Sequence, residues 1–168
     1  MSLSEKRIVP KDVFLTIFDA EEQKYSQTAK NRLSGNEIVD KLAELLSVHG
    51  MMSPRRYAKK MGIKNEMLNH FLMLCSGLTF RQWRNEYLIL GAKELLIETD
   101  LSLDQVGKRL GFTGQSAFGK WFTRIVKDAP SRWRRVAKLE AKKEDEKLLI
   151  EAKKKRANTA PFTEINID

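Results

Sequence analysis

Residues 114–127 (GQSAFGKWFTRIVK) place side chains that can recognise nucleic acid along one side of an amphipathic pattern. The apolar residues recur at helical spacing and are expected to face a core. The opposite side carries the candidate contact residues Gln115, Ser116, Lys120, Thr123 and Arg124. Glutamine can pair with two groups of adenine, lysine can reach guanine or phosphate, and hydroxyl groups can bond phosphate. These side chains predict a helix that enters the major groove of DNA.

A second segment, residues 64–77, has the same general pattern with less typical residues. Its candidate base-contacting residues are Glu66, Asn69 and His70. A glutamate repels phosphate unless it accepts a hydrogen bond from the amino group of cytosine. Met73 and Leu74 stand where a DNA-binding helix usually offers cations. The segment therefore predicts either weak DNA binding or an apolar contact with another protein.

Each of these segments follows one copy of a short repeat. The heptapeptides YAKKMGI and VGKRLGF begin 49 residues apart, and one inserted residue makes the offset 50 afterwards. Their small residues align, Ala58 with Gly107, and so do their glycines, Gly62 with Gly111. A small residue lets two helices cross closely, and the glycine takes the sharp turn between them. The repeat predicts two helix-turn-helix units.

The charge of the chain is concentrated around this repeat. The 168 residues carry a formal net charge of +9 and are 42% hydrophobic, enough for a packed core. Residues 1–49 have a net charge of −1, whereas residues 50–131 and residues 132–156 each have +6. This distribution favours a polyanionic partner, nucleic acid first and an acidic membrane surface second.

Several classes of protein are excluded by what the sequence lacks. The one cysteine, Cys75, rules out an internal disulfide and a cysteine-rich metal site. No apolar run approaches the ~20 residues of a membrane span, and the N-terminus has no signal-peptide core, so we expect a cytoplasmic protein. No metalloprotease, dinucleotide-binding or P-loop motif occurs, and no carboxylate pair stands out. We therefore expect no enzyme, no metal site and no cofactor.

The pattern predicts an all-α fold with two helix-turn-helix units on a long linker helix, a homeodomain-like pair. The expected helices are 11–25, 35–48, 54–61, 65–75, 80–98, 103–110, 114–126 and 130–155, with a frayed end at 157–168. Capping boxes are expected for Ser34 with Glu37, Thr79 with Gln82 and Ser102 with Gln105. The linker helix would span roughly 27 Å, near the roughly 34 Å between adjacent major grooves.

Residues 99–135 resemble the second helix-turn-helix of the AraC/XylS family of bacterial transcription regulators. The resemblance is carried by Thr99-Asp100-Leu101-Ser102, Gly111-Phe112, Gln115-Ser116, Phe118, Phe122, Pro130 and Trp133-Arg134-Arg135. The family's first motif is followed more loosely by residues 57–83 and by Ala92-Lys93-Glu94-Leu95-Leu96, so the resemblance covers about 50–137.

The resemblance implies a seven-helix domain that places one helix of each unit in the major groove. By matching position, base contacts would fall on Glu66, Asn69 and His70 and on Gln115, Ser116 and Lys120. The chain departs from the family pattern at Gly107, usually alanine, at Lys127, usually glycine, and at Leu88, commonly arginine. Met73 and Leu74 replace basic residues.

The sequence divides into three expected regions. Residues 1–34 form an N-terminal arm and linker, residues 35–137 the DNA-binding domain, and residues 138–168 a basic helical extension and disordered tail. The apolar face at 13–18 is interpreted as a docking arm, a dimer contact, a remnant of another domain or a helix packed on its own domain. Expected phosphate contacts are Arg55, Arg56, Thr113 and Arg134, and Thr113 would also cap the helix that follows it.

The function predicted from the sequence is a sequence-specific DNA-binding transcription regulator that inserts two helices into adjacent major grooves of promoter DNA. The alternative is a protein-interaction module whose degenerate first unit meets an RNA polymerase subunit or a second protomer.

Overall fold

The computed structural model describes residues 7–17 and 34–159. This part of the chain is helical and contains no strand. The helices are α1 (Glu37–His49), α2 (Pro54–Met61), α3 (Asn65–Ser76), α4 (Phe80–Glu98), α5 (Leu103–Arg109), α6 (Gln115–Val126) and α7 (Pro130–Asn158). The all-α prediction is confirmed, and helices α2–α3 and α5–α6 form the two helix-turn-helix units.

Helix α4 is the central element of the core. Its buried side chains are Phe80, Trp83, Tyr87, Leu88, Ala92, Leu95 and Leu96. These residues occur around most of the helix rather than along one stripe, because α1, α3, α5 and α7 all pack against it. The departure from the family pattern at Leu88 has a physical reason, since this side chain is fully buried and an arginine there would lose its hydration.

The two turns have the backbone conformation that the repeat predicts. Gly62 and Gly111 end α2 and α5 with φ angles of +69° and +82°, in the left-handed region. At the crossing of α5 and α6, a Cβ on Gly107 would lie 2.9 Å from the Cβ of Phe118. Glycine at position 107 therefore allows α5 and α6 to approach more closely than alanine would.

A backbone contact joins the loop after α1 to the turn of the second unit. The Met51 N–H donates to the carbonyl of Leu110 at 2.6 Å. A Cβ on Gly50 would lie 2.1 Å from the same carbonyl oxygen, and a Cβ on Gly111 would lie 2.6 Å from the His49 carbonyl oxygen. The turn of the second unit consequently touches the loop that precedes the first unit main chain to main chain, at positions that leave no space for a side chain.

The helix starts agree with the sequence at two of three capping boxes. Both hydrogen bonds of the box form at Thr79 with Gln82 and at Ser102 with Gln105. The box expected at Ser34 is wrong, because α1 begins two residues later. Its N-cap is Asn36, whose side chain accepts from two backbone N–H groups of the first turn, while the Ser34 hydroxyl donates to Asp40.

The helix expected over 11–25 is wrong for the part that the structure describes. A single 3-10 turn, Pro10–Asp12, is followed by irregular chain to residue 17, and residues 18–25 lie outside the described residues. Outside this turn, the backbone around it bonds to other elements: the Ile8 N–H donates to the Cys75 carbonyl at 2.9 Å, and the Leu15 carbonyl accepts from the Tyr87 hydroxyl at 2.9 Å. Tertiary contacts thus replace the helical hydrogen bonds.

Residues 7–17 form a strap along α4. Val13 is buried, and the Phe14 ring lies 5.3 Å from that of Tyr87. Ile17 packs where Gly91 leaves space on α4, and its N–H donates to the Glu94 carboxylate at 2.9 Å. Residues 13–17 pack on their own domain, which is one of the four interpretations of the apolar face at 13–18. Phe18 lies outside the described residues.

Helix α7 continues far beyond the second unit. It is anchored by buried Pro130 and half-buried Trp133, whose ring lies 5.9 Å from that of Phe122. From residue 142 to residue 159 every residue is exposed. The helix ends at Asn158, three residues later than expected, and residues 160–168 of the expected tail lie outside the described chain.

The contact between the two units predicts a large difference between two glycine substitutions. Gly62→Ala adds a Cβ with no atom within 4 Å and should cost about 1 kcal/mol for its positive φ. Gly50→Ala has a similar φ, but its ψ of −131° lies outside the left-handed helical region, and its Cβ meets the Leu110 carbonyl, so it should cost at least about 3 kcal/mol. Chemical denaturation measures both free energies of unfolding. Equal losses would show that the contact between the units contributes nothing.

Candidate nucleic-acid interface

Helix α6 is held by its apolar face. Phe118, Trp121 and Phe122 are buried, as the sequence predicts, and the Phe118 ring lies 5.7 Å from that of Phe112 in the preceding turn. The indole N–H of Trp121 donates to the side-chain oxygen of Asn85 on α4 at 3.2 Å. This bond joins the second unit directly to the linker helix and fixes which side of α6 faces outward.

The outward side of α6 presents all the predicted contact residues to solvent. The exposed residues are Gln115, Ser116, Lys120, Thr123 and Arg124. Between them, Gly119 has no atom within 4 Å of where a Cβ would be, so the middle of this face is open. A row of polar side chains around an open glycine is a surface that a nucleic-acid groove can approach closely.

The N-terminus of α6 is capped by a residue that the sequence did not indicate. Thr113 was expected to cap this helix, and this is wrong: the N-cap is Gly114, which has no side chain to accept. Instead Asp104 on α5 accepts from the Gln115 N–H at 3.2 Å. The hydrogen bond from Lys108, at 2.6 Å, is the largest cause that lowers the pKa of Asp104, and the Gln115 N–H contributes.

Asp104 therefore sets the start of α6 from the neighbouring helix. The donor and acceptor are 11 residues apart, so local capping rules do not detect the pair. The pair leaves Thr113 exposed beside Gln115, where its hydroxyl is accessible to a phosphate.

Helix α3 presents a different surface. Leu68 and Leu72 are buried, and Glu66 and His70 are exposed as expected. Asn69 is half-buried, and its side-chain oxygen accepts from the Phe80 N–H at 2.9 Å. This oxygen ties α3 to the start of α4, and the amide N–H groups of Asn69 remain as donors for another partner.

The expected phosphate contacts fall into two structural groups. Arg55 and Arg56 are exposed on the first turn of α2. Arg134 is half-buried, and its Nε donates to the Leu96 carbonyl near the end of α4 at 3.1 Å. Burial lowers the pKa of Arg134, and the nearby Asp100 raises it. The structure thus gives Arg134 an anchoring role that the sequence did not predict.

The same anchor occurs in the first unit. Arg84, 50 residues before Arg134, is also half-buried, and its Nη1 donates to the Met52 carbonyl before α2 at 2.8 Å. Burial is the main cause that lowers the pKa of Arg84, and the positive charges of Arg81 and Arg124 lower it further. These cations lie together where α6 meets the start of α4.

Residues 7–17 and 34–159 contain neither a candidate metal site nor a candidate membrane span. In these ranges no three histidine, cysteine, aspartate or glutamate side chains are grouped so as to hold a metal ion. None of the helices described here combines the length and apolar character needed to cross a membrane.

The fold and these exposed helices define a double helix-turn-helix domain. Residues 57–136 match a family model described as a helix-turn-helix domain. This segment belongs to the AraC/XylS type of helix-turn-helix domain, and the resemblance noted in the sequence is confirmed. A search among curated protein sequences gave no match.

Several solved structures share the fold. The C-terminal domain of the response regulator AraT from Geobacillus stearothermophilus has a TM-score of 0.55 at 19% identity, over 62% of this chain and 88% of that one. The C-terminal domain of the response regulator yesN from Fusobacterium nucleatum has a TM-score of 0.53 at 16% identity, over 59% and 99%. The DNA-binding domain of the global transcriptional factor AdpA, solved with a target DNA, has a TM-score of 0.55 at 21% identity, over 63% and 96%.

The anchoring role of Arg134 predicts a loss of stability rather than of DNA contact. Arg134→Ala should lower the free energy of unfolding by about 2 kcal/mol, because it removes a charged donor from the Leu96 carbonyl. The matched control is Arg135→Ala, which removes an exposed cation next to it and should cost less than about 0.5 kcal/mol. Urea denaturation distinguishes them. Similar free energies of unfolding for the two variants would show that the bond from Arg134 to the Leu96 carbonyl does not stabilise the fold.

Proposed function

We propose that this chain is a sequence-specific transcription regulator that inserts α3 and α6 into adjacent major grooves of promoter DNA. The observation that carries the proposal is the outward face of α6, where Gln115, Ser116 and Lys120 are all exposed beside an open glycine. The membership of residues 57–136 in a DNA-binding type of domain supports the same function. The likeness to AdpA, which was solved with its target DNA, is consistent with it.

The exposed side chains suggest a division of roles on α6. Gln115 has the donor and acceptor needed to pair with adenine, and Lys120 can donate to guanine or to phosphate. Ser116, Thr123 and Arg124 are suited to phosphates or base edges. Arg55 and Arg56 on α2 and Thr113 before α6 would contact the backbone, which fixes register and adds affinity without selecting sequence.

The spacing of the two units supports binding as one body. Helix α4 has 19 residues, a length of about 28 Å, and is connected to both units by buried contacts. A rigid connection of this length is near the roughly 34 Å that separate adjacent major grooves on one face of the duplex. We therefore assign DNA binding to residues 35–137, with α7 beyond residue 137 as an appended extension.

A second candidate function is favoured by one observation. Met73 and Leu74 on α3 are apolar and are 48% and 83% exposed, so they form a surface that another protein can cover. An RNA polymerase subunit or a second protomer could cover them. This alternative predicts a purified protein without sequence preference for DNA.

The base-reading role of α6 predicts the effect of two substitutions. Gln115→Ala and Lys120→Ala should each weaken binding to the selected site by about 1–3 kcal/mol and relax the base preference there. A binding-site selection identifies the site, and fluorescence anisotropy measures affinity on it. The matched control is Lys147→Ala, an exposed cation on the α7 extension, whose binding should equal that of the parent. No enriched sequence with the parent protein, or the same enriched sequence with Gln115→Ala and Lys120→Ala, would reject the proposed function.

A further inference from the structure

Helix α3 has three exposed apolar side chains on its outer face, two of them at positions where α6 is polar. Met67, Met73 and Leu74 are 55%, 48% and 83% exposed. At the offset of 50, Met73 and Leu74 correspond to Thr123 and Arg124 on α6, which are also exposed. At these two positions the equivalent surfaces of the helices are apolar on α3 and polar on α6.

The exposed side chains of α3 form one continuous surface. Residues three or four apart lie on the same side of a helix. This spacing joins two rows that share His70, namely Glu66–His70–Met73 and Met67–His70–Leu74. His70 lies at the centre of this surface. Apolar side chains flank it, and a single carboxylate lies at the N-terminal end.

The first unit has the same charge as the second, arranged differently. Residues 54–77 and residues 103–127 each carry five lysines and arginines and one carboxylate. In the first unit the exposed cations are all outside α3, namely Arg55, Arg56, Lys59, Lys60 and Lys64. The apolar face of α3 thus lies beside a basic rim, which complements a partner with negative charge at its edges and apolar groups between them.

The DNA major groove has this combination of features. Its edges are phosphates, and its one apolar group is the C5-methyl of thymine, which side chains recognise by direct contact. Of the two amides on α3, Asn69 is tied to the start of α4 through its oxygen, which accepts from the Phe80 N–H. Asn65 is half-buried, and its side-chain oxygen is enclosed. Resting on the proposed function, we infer that Met67, Met73 and Leu74 recognise thymine methyl groups in the first major groove, with His70 and Glu66 contacting base edges beside them.

The test removes the methyl groups from the DNA and leaves the protein unchanged. Binding-site selection identifies both half-sites, and loss of guanine protection from dimethyl sulfate with the Lys120→Ala variant assigns one of them to α6. Duplexes are then made with deoxyuridine in place of thymine in either half-site. We expect deoxyuridine under α3 to weaken binding at least about fourfold, the value of one buried methyl group, and deoxyuridine under α6 to have a smaller effect.

A protein variant provides the reciprocal measurement. Met73→Thr combined with Leu74→Arg gives α3 the residue types that α6 has at the equivalent positions. We expect the variant to lose the dependence on thymine methyl groups, and the slope of log affinity against log salt to become steeper by about one, because one more phosphate is neutralised. Both side chains are exposed, so the melting temperature should remain that of the parent.

The outcomes separate the inference from the function on which it rests. Equal effects of deoxyuridine in the two half-sites would overturn the inference while leaving sequence-specific binding in place. DNA affinity and salt slope that do not change in the double variant would also overturn it and would indicate a protein partner for Met73 and Leu74. Failure of the parent to select any sequence would reject the proposed function itself. If the double variant does not fold, the deoxyuridine comparison with the parent still decides.

Discussion

The arrangement of the two helix-turn-helix units depends on a place where two backbones meet without side chains between them. Gly50 and Gly111 leave the space for the Met51 N–H to reach the Leu110 carbonyl at 2.6 Å. The hydroxyl of buried Tyr57, from the first unit, donates to the Gly50 carbonyl at 2.6 Å. The turn of the second unit is therefore bonded to a loop that the first unit also holds. Any rotation of one unit against the other would have to break these buried hydrogen bonds.

The outward faces of α6 and α3 are oriented by hydrogen bonds that join each helix to its neighbours. On α6, the Trp121 indole bonds to Asn85 and the first turn bonds to Asp104. On α3, Asn69 accepts from the start of α4. These bonds involve polar groups that an ordinary amphipathic helix would leave in water. Their number in so small a domain indicates that the angle of each helix, and not merely its presence, is determined by the fold.

The features that follow local rules were predictable from the sequence. The glycine turns at Gly62 and Gly111, the capping box at Thr79 and the burial of Trp121 each depend on residues within one or two helical turns, and all are confirmed. The exposure of the α6 contact residues follows from the same periodicity. These rules apply because neighbouring residues decide the backbone conformation at caps and turns.

The features that depend on distant partners were not predictable in this way. Residues 11–17 have a helical pattern, yet α4 offers their backbone better partners at Tyr87 and Glu94. Asp104 replaces Thr113 as the cap of α6 because it reaches across from another helix. Arg134, which the sequence predicts as a phosphate contact, also donates from its Nε to the Leu96 carbonyl. In each case the hydrogen-bond partner is distant in the sequence, so the residue types of the segment alone do not identify it.

The most direct measurement of the central claim is the dependence of DNA affinity on the distance between the two half-sites. One inserted base pair moves the half-sites apart and rotates them by about a tenth of a turn. Two units held together through the α1–α2 loop and α4 cannot follow this rotation, so we predict at least about a tenfold loss of affinity, toward that of a single half-site. Affinity that stays within about twofold as base pairs are added would show that the units move independently, and would contradict a fixed arrangement of α3 and α6.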